Sequence, residues 1–182
     1  MRVVIGYESM YGQTRRVARA IAAGFSPDDD VAVVPVSRCD GDATTADLLI
    51  IGAPTHAHGL PGAKSRQAAI DGAHTRYDSH TLESLAAGSG VREWLEQLPA
   101  GVTANVATFD TRFRPPAWLT GHPAARVMRV LVGRGGTQLA RPQSFFVDKH
   151  EKLRDGELER AQRWGAELRS LAAAKVQAPS HS

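Results

Sequence analysis

"GYESMYGQTRR", residues 6–16, closes the apolar run "RVVIGY" (2–7) and opens a helical pattern. Ser9, Tyr11, Gly12, Gln13 and Thr14 crowd into one short turn. A strand that runs into hydroxyls and a glycine, then starts a helix, has the parts of an anion site. The first amides of a helix have no intrahelical acceptor and carry partial positive charge. Gly12 can take backbone angles closed to other residues and admit a ligand closely. The Ser9 and Thr14 hydroxyls can donate to phosphate oxygens. The same residues also suit an ordinary helix cap, with Ser9 or a neighbour satisfying the turn. Taken by itself, the turn leaves both readings open.

Outward from this turn, apolar runs alternate with helical patterns. Val17, Ala18, Ile21, Ala22 and Phe25 recur at helical spacing from Thr14, with Arg15, Arg16 and Arg19 on the other face. "VAVVPV" (31–36) reads as a second strand whose Pro35 suits an edge. "ADLLIIGAP" (46–54) reads as a third, apolar on both faces like a central parallel strand. A helix is expected around 82–98, ended by Pro99, then a fourth strand over "VTANVATFD" (102–110). "AARVMRVLV" (124–132) belongs to a further helix and "SFFVD" (144–148) to strand five. From Glu157 to about Ala174 the pattern is amphipathic, with Leu158, Ala161, Gly165 and Leu168 on one side. Residues 176–182 are expected to fray.

Strands separated by helices predict right-handed crossovers and a doubly wound α/β sheet. Ligands of such sheets bind beyond the carboxyl ends of the strands. That rule selects residues 8–14, 54–62 and 110–116. No repeat or low-complexity linker interrupts the pattern, so one domain is expected over residues 1–175.

The bulk properties narrow the function. The 182 residues suffice for one well-buried domain, and 42% hydrophobic with 23% charged residues is an ordinary globular balance. No apolar run approaches the ~20 residues of a membrane span, and "MRVVIGYES" meets Gly6 and Glu8 too soon for a signal peptide. A single cysteine, Cys39 in "SRCDGD", allows no intrachain disulfide and fits a reducing cytoplasm; its expected role is structural or incidental. The net charge of +3 favours anionic ligands, but the arginines spread from Arg2 to Arg169 without a nucleic-acid-binding stripe. A loop ending in Gly-Lys-Ser/Thr and a G-x-G-x-x-G are both missing after strand one, which argues against P-loop and dinucleotide sites. Ala53 and Pro54 stand where a phosphoacceptor receiver domain would need aspartate.

At this point the residues resemble a family. "YESMYGQT" is similar to the phosphate-binding loop of flavodoxins, Thr/Ser-x-Thr-Gly-x-Thr after strand one: Ser9, Gly12 and Thr14 match, and Tyr11 replaces a threonine. "IGAPTHAHG" (51–59) resembles the flavodoxin segment Gly-x-Pro-Thr-Tyr-x-x-Gly. "FDTRF" (109–113) falls where the third flavin loop stands, and "DGELERAQRWGAEL" resembles the final flavodoxin helix. The resemblance implies a three-layer sandwich: a five-stranded parallel sheet of order 2-1-3-4-5 with helices on both faces. It also implies bound FMN. Ser9, Met10, Tyr11, Gly12, Gln13 and Thr14 would hold the phosphate, largely through backbone N–H groups. Pro54, Thr55, His56, Ala57, His58 and Gly59 would line one side of the ring and the edge bearing N5. Asp110, Thr111, Arg112 and Phe113 would approach its pyrimidine end and other face.

Within that frame Arg112 is the candidate cation near N1 and O2, where positive charge favours the anionic reduced ring. His56, at the position of the family's aromatic residue, is the candidate catalytic group, since histidine exchanges protons near neutrality. His56 and His58 also form an H-x-H pair that could ligate metal, without an accompanying cysteine or carboxylate cluster, or could simply face solvent.

The chain departs from small electron-carrying flavodoxins, which tend to be acidic. Its second and third loops lack the Trp and Tyr that commonly sandwich the ring, with Tyr77 and Phe113 as substitutes. "DGAHTRYDSHT" (71–81) and "RFRPPAWLTGHP" (112–123) are extensions expected on the ligand side, as lids, walls or surface insertions. The expected function is FMN-dependent electron transfer in the cytoplasm, to a redox partner protein or a small-molecule acceptor, with no nucleic acid and no membrane span. An FMN-dependent NAD(P)H:quinone-type oxidoreductase is the alternative. A flavodoxin-like interaction module without flavin is the third reading.

Overall fold

The computed structural model describes residues 1–39, 41–55, 90–113, 122–148 and 150–177. In chain order the elements are β1 (Arg2–Tyr7), α1 (Gln13–Ala22), β2 (Asp30–Pro35), two short 3-10 turns (Val36–Arg38 and Gly41–Thr45), β3 (Leu48–Pro54) and α2 (Val91–Gln97). They continue with β4 (Asn105–Phe113), α3 (Pro123–Gly133), β5 (Thr137–Gln138), β6 (Gln143–Val147) and α4 (Glu157–Gln177).

Every pairing between these strands is parallel, in the order β2-β1-β3-β4-β5, with β6 also on β4. The fifth position of the sheet is therefore filled by two consecutive strands. Thr137 pairs with Asn105 at the foot of β4, and Gln143 to Val147 pair with Phe109 to Phe113 at its head. Residues 140–142 leave the ladder between them, with Pro142 lacking the N–H a strand would donate. Pro35 ends β2 at the sheet's edge, where a missing donor is tolerated.

The central strand β3 reads Leu-Leu-Ile-Ile because both of its faces are covered. Val3, Ile5, Leu48, Ile50, Ala107 and Phe109 pack against α1 and α4 on one side. Val4, Leu49, Ile51 and Val106 pack against α2 and α3 on the other. On the first side Phe109 meets Phe145 edge-on at 5.9 Å and Trp164 at 6.4 Å, pairs each worth roughly 1 kcal/mol beyond their buried area. Helices α1 and α4 approach so closely that a Cβ at Gly165 would collide with the Ile21 carbonyl. Ala161, Trp164, Leu168 and Ala172 continue that buried stripe of α4. Cys39 packs against the opposite core, where a Cβ on Gly6 would lie 2.7 Å from its Sγ.

Two boundaries differ from the sequence expectation in ways that matter for the site. Strand β4 begins at Asn105 and continues to Phe113, past the expected end at residue 110. Its extra length is held by β3 on one side, up to Pro54↔Thr111, and by β6 on the other, up to Phe113↔Val147. "FDTRF" is accordingly strand, with alternating sides. The helix expected over 82–98 is described from Val91 onward, and its earlier part lies outside the described residues. So do the 71–81 extension and most of 112–123.

Candidate cofactor site

The carboxyl ends of β1, β3, β4 and β6 surround one cavity of about 290 Å³. It is lined by Ser9, Met10, Tyr11, Gln13, Thr14, Pro54, Thr55, Thr111, Arg112, Phe113, Val147 and Glu151. The described parts of the three segments that the sequence places beyond the strand ends thus meet around one space. Two hydrogen bonds tie them: Thr55 N donates to the Thr111 carbonyl at 2.9 Å, and the Thr14 and Thr111 hydroxyls lie 2.8 Å apart.

The turn after β1 is built as an open helix end. Gly12 is the N-cap of α1 at φ 83°, a left-handed conformation that strains any residue with a Cβ. Among the described residues no side chain caps the helix, and its first turn holds no acidic residue, so the capping alternative for Ser9 is not realised. The opening amides of a helix have no intrahelical acceptor, so this end of α1 is suited to an anion in the cavity. Ser9 is 8% exposed, and its Oγ has no hydrogen-bond partner among the described residues. Thr55 Oγ1 is likewise buried and without one. Two buried hydroxyls beside an uncapped helix N-terminus fit a ligand that brings oxygens with it, as a phosphate with a polyol tail does. Behind the turn, Glu8 is buried and accepts the Val91 N–H at 2.8 Å, so one carboxylate fixes the end of β1 to the start of α2.

The residues expected to hold FMN are placed as follows. Ser9, Met10, Tyr11, Gln13 and Thr14 line the cavity, with Met10 almost wholly buried beneath it and Gly12 supplying the turn. Pro54 and Thr55 line it from β3. His56, Ala57, His58 and Gly59 lie outside the described residues. Thr111, Arg112 and Phe113 line it from β4, with Phe113 40% exposed at the rim. Asp110 is the exception. It lies inside the lengthened strand, outside the cavity lining, and is 1% exposed. There its Oδ2 accepts the Ala124 N–H at 3.2 Å, at the start of α3. Burial pushes its carboxyl above the usual range, against the opposing pull of Ser144, Ala124, Arg112 and His122.

Two lining residues escaped the sequence reading. Val147 pairs with Phe113 at the head of β6, and Glu151 follows in a turn closed by the Val147–Leu153 bridge. Asp148 organises that turn by accepting the N–H groups of His150 and Lys152. These hydrogen bonds hold the Asp148 carboxyl below its usual range and Glu151 at φ 59°. The signal was faint: an aspartate and a few polar residues after a short strand.

A family model described as Flavodoxin matches residues 5–110, more than half of the chain. The chain belongs to the flavodoxin family. Among solved structures, a flavodoxin from the domain Archaea is 16% identical, with 95% of this chain and 99% of that one covered at a TM-score of 0.61. Oxidised Flavodoxin 1 from Bacillus cereus is also 16% identical, with 92% and 97% covered at a TM-score of 0.60. A flavodoxin, WrbA-like protein from Agrobacterium tumefaciens is 18% identical, with 95% and 98% covered at a TM-score of 0.53. No curated protein sequence matches the chain. Among the described residues no helix is long and apolar enough to cross a membrane.

Proposed function

We propose that this protein binds FMN non-covalently in the cavity and passes electrons through it. The observation that carries the reading is the pair of buried hydroxyls, Ser9 Oγ and Thr55 Oγ1, that face one cavity without a partner among the described residues. An unsatisfied buried hydroxyl costs about 1–3 kcal/mol, a cost that an oxygen-rich ligand removes.

In this reading the α1 amides, Ser9 and Thr14 hold the phosphate, and Thr55 meets the polyol chain. Thr111, Arg112 and Phe113 flank the ring from β4, with Pro54, His56, Ala57, His58 and Gly59 on the other side. When bound, the flavin supplies one- or two-electron chemistry, and the protein supplies position, charge and exclusion of water. His56 would hold a proton beside the ring. The whole chain to residue 175 acts as one domain, in the cytoplasm, and passes electrons to a redox partner protein or a small acceptor.

A second reading, an FMN-dependent NAD(P)H:quinone-type oxidoreductase, is favoured by the net charge of +3 and by the exposed Phe113 ring at the cavity rim. An aromatic wall suits a flat acceptor, whereas an electron shuttle relies on a docking face. Purification followed by FMN titration tests the shared claim. Steady NADH or NADPH oxidation with a quinone, without a second protein, separates the two readings.

A further inference from the structure

Asp110 and Arg112 stand two residues apart on β4, and residues at that spacing share a face of the sheet. Their charged groups approach to 3.9 Å, with Arg112 10% and Asp110 1% exposed. Arg112 lines the cavity and Asp110 does not. The guanidinium also lies 5.7 Å from the centre of the Phe146 ring, so a carboxylate at ion-pair distance and an aromatic face both neighbour it. Asp110 is itself held by the Ala124 N–H at the start of α3, which donates to its Oδ2.

We propose that Asp110 is a positioning residue acting through Arg112: the buried carboxylate holds the guanidinium against the cavity wall and cancels part of its charge. An anionic ligand in the cavity then meets a compensated arginine, and its affinity is governed by a residue it never touches. Opposite charges about 4 Å apart in a partly buried setting interact strongly enough for this control. The charged and titratable groups facing Asp110 are Arg112 from β4 and His122 ahead of α3, with the Ser144 hydroxyl and the Ala124 amide completing its surroundings. Burial makes the carboxylate costly to keep charged. As pH falls and Asp110 takes a proton, its share of the compensation of Arg112 is lost and the cavity becomes more attractive to anions.

The part of the proposal that concerns flavin rests on the FMN reading; the pairing itself does not. The test compares the natural protein, D110N, R112Q and the double variant. Asparagine keeps an oxygen for the Ala124 amide while removing the charge. Without flavin, the Arg112 Nε–H resonance in the natural protein should follow a carboxylate titration in an acid pH series, and its exchange with solvent should quicken in D110N. With flavin, D110N should tighten FMN binding about fivefold, and this gain should vanish when residue 112 is already glutamine. An Arg112 resonance blind to both acid and D110N would overturn the proposal. So would an equal change of FMN affinity from D110N with and without Arg112. A natural protein that binds no FMN but shows the Arg112 titration sinks the cofactor reading and upholds the pairing.

Discussion

Thr14 Oγ1 and Thr111 Oγ1 lie 2.8 Å apart in a buried hydrogen bond that spans 97 residues of sequence. It joins the first turn of α1 to the head of β4, so the two walls of the cavity are one hydrogen-bonded unit. Replacing either threonine by valine keeps the shape and strands the other hydroxyl. Each single variant should lose about 1–2 kcal/mol in urea denaturation, and the double variant less than the sum.

Ser9 and Thr55 should behave in the opposite way. Their buried hydroxyls lack partners among the described residues, so Ser9→Ala and Thr55→Val should leave the flavin-free protein as stable as before, or slightly more so. Each should weaken FMN binding by roughly tenfold, the worth of a hydrogen bond to a charged or polyol oxygen. Comparing melting curves with flavin titrations separates this from a structural role, in which stability would fall and affinity would not.

Gly165 marks the close approach of α1 and α4. An added methyl meets the Ile21 carbonyl and cannot be absorbed by a side-chain rotation. Gly165→Ala should cost more than about 2 kcal/mol, although alanine favours a helix in isolation. Chemical denaturation with helix content followed by circular dichroism would register the loss.

Acid sensitivity should arise partly at Asp29. Burial raises its carboxyl, but Arg169, the Met1 ammonium and the Ser26 N–H outweigh that, and the net shift is downward from 3.8. A lowered folded-state value means that the unfolded chain binds the proton more readily. The stabilisation is therefore complete above 3.8 and fades as pH falls through the lowered folded value. Asp29→Asn should cost about 1–2 kcal/mol at neutral pH and nothing at the acid end, read from denaturation curves across a pH series.

Much of this arrangement was written in short patterns. The unbroken apolar run of β3 announced a strand covered on both faces, and Pro35 announced an edge. Gly12 announced the left-handed turn that opens α1. What stayed hidden depended on partners distant in sequence. The length of β4 is fixed by β6, which lies thirty residues later, and no local signal showed that Asp110 lies outside the cavity lining. Glu151 reaches the cavity only because Asp148 closes a turn around it. Backbone pairing chose these positions, and side-chain patterns could not.

The most direct test is titration of FMN into flavin-free protein, followed by quenching of flavin fluorescence, with Ser9→Ala in parallel. The account predicts saturable one-to-one binding, retained through gel filtration as a yellow protein and weakened in the variant. Fluorescence that stays unquenched with FMN in excess, or binding indifferent to Ser9, would contradict it.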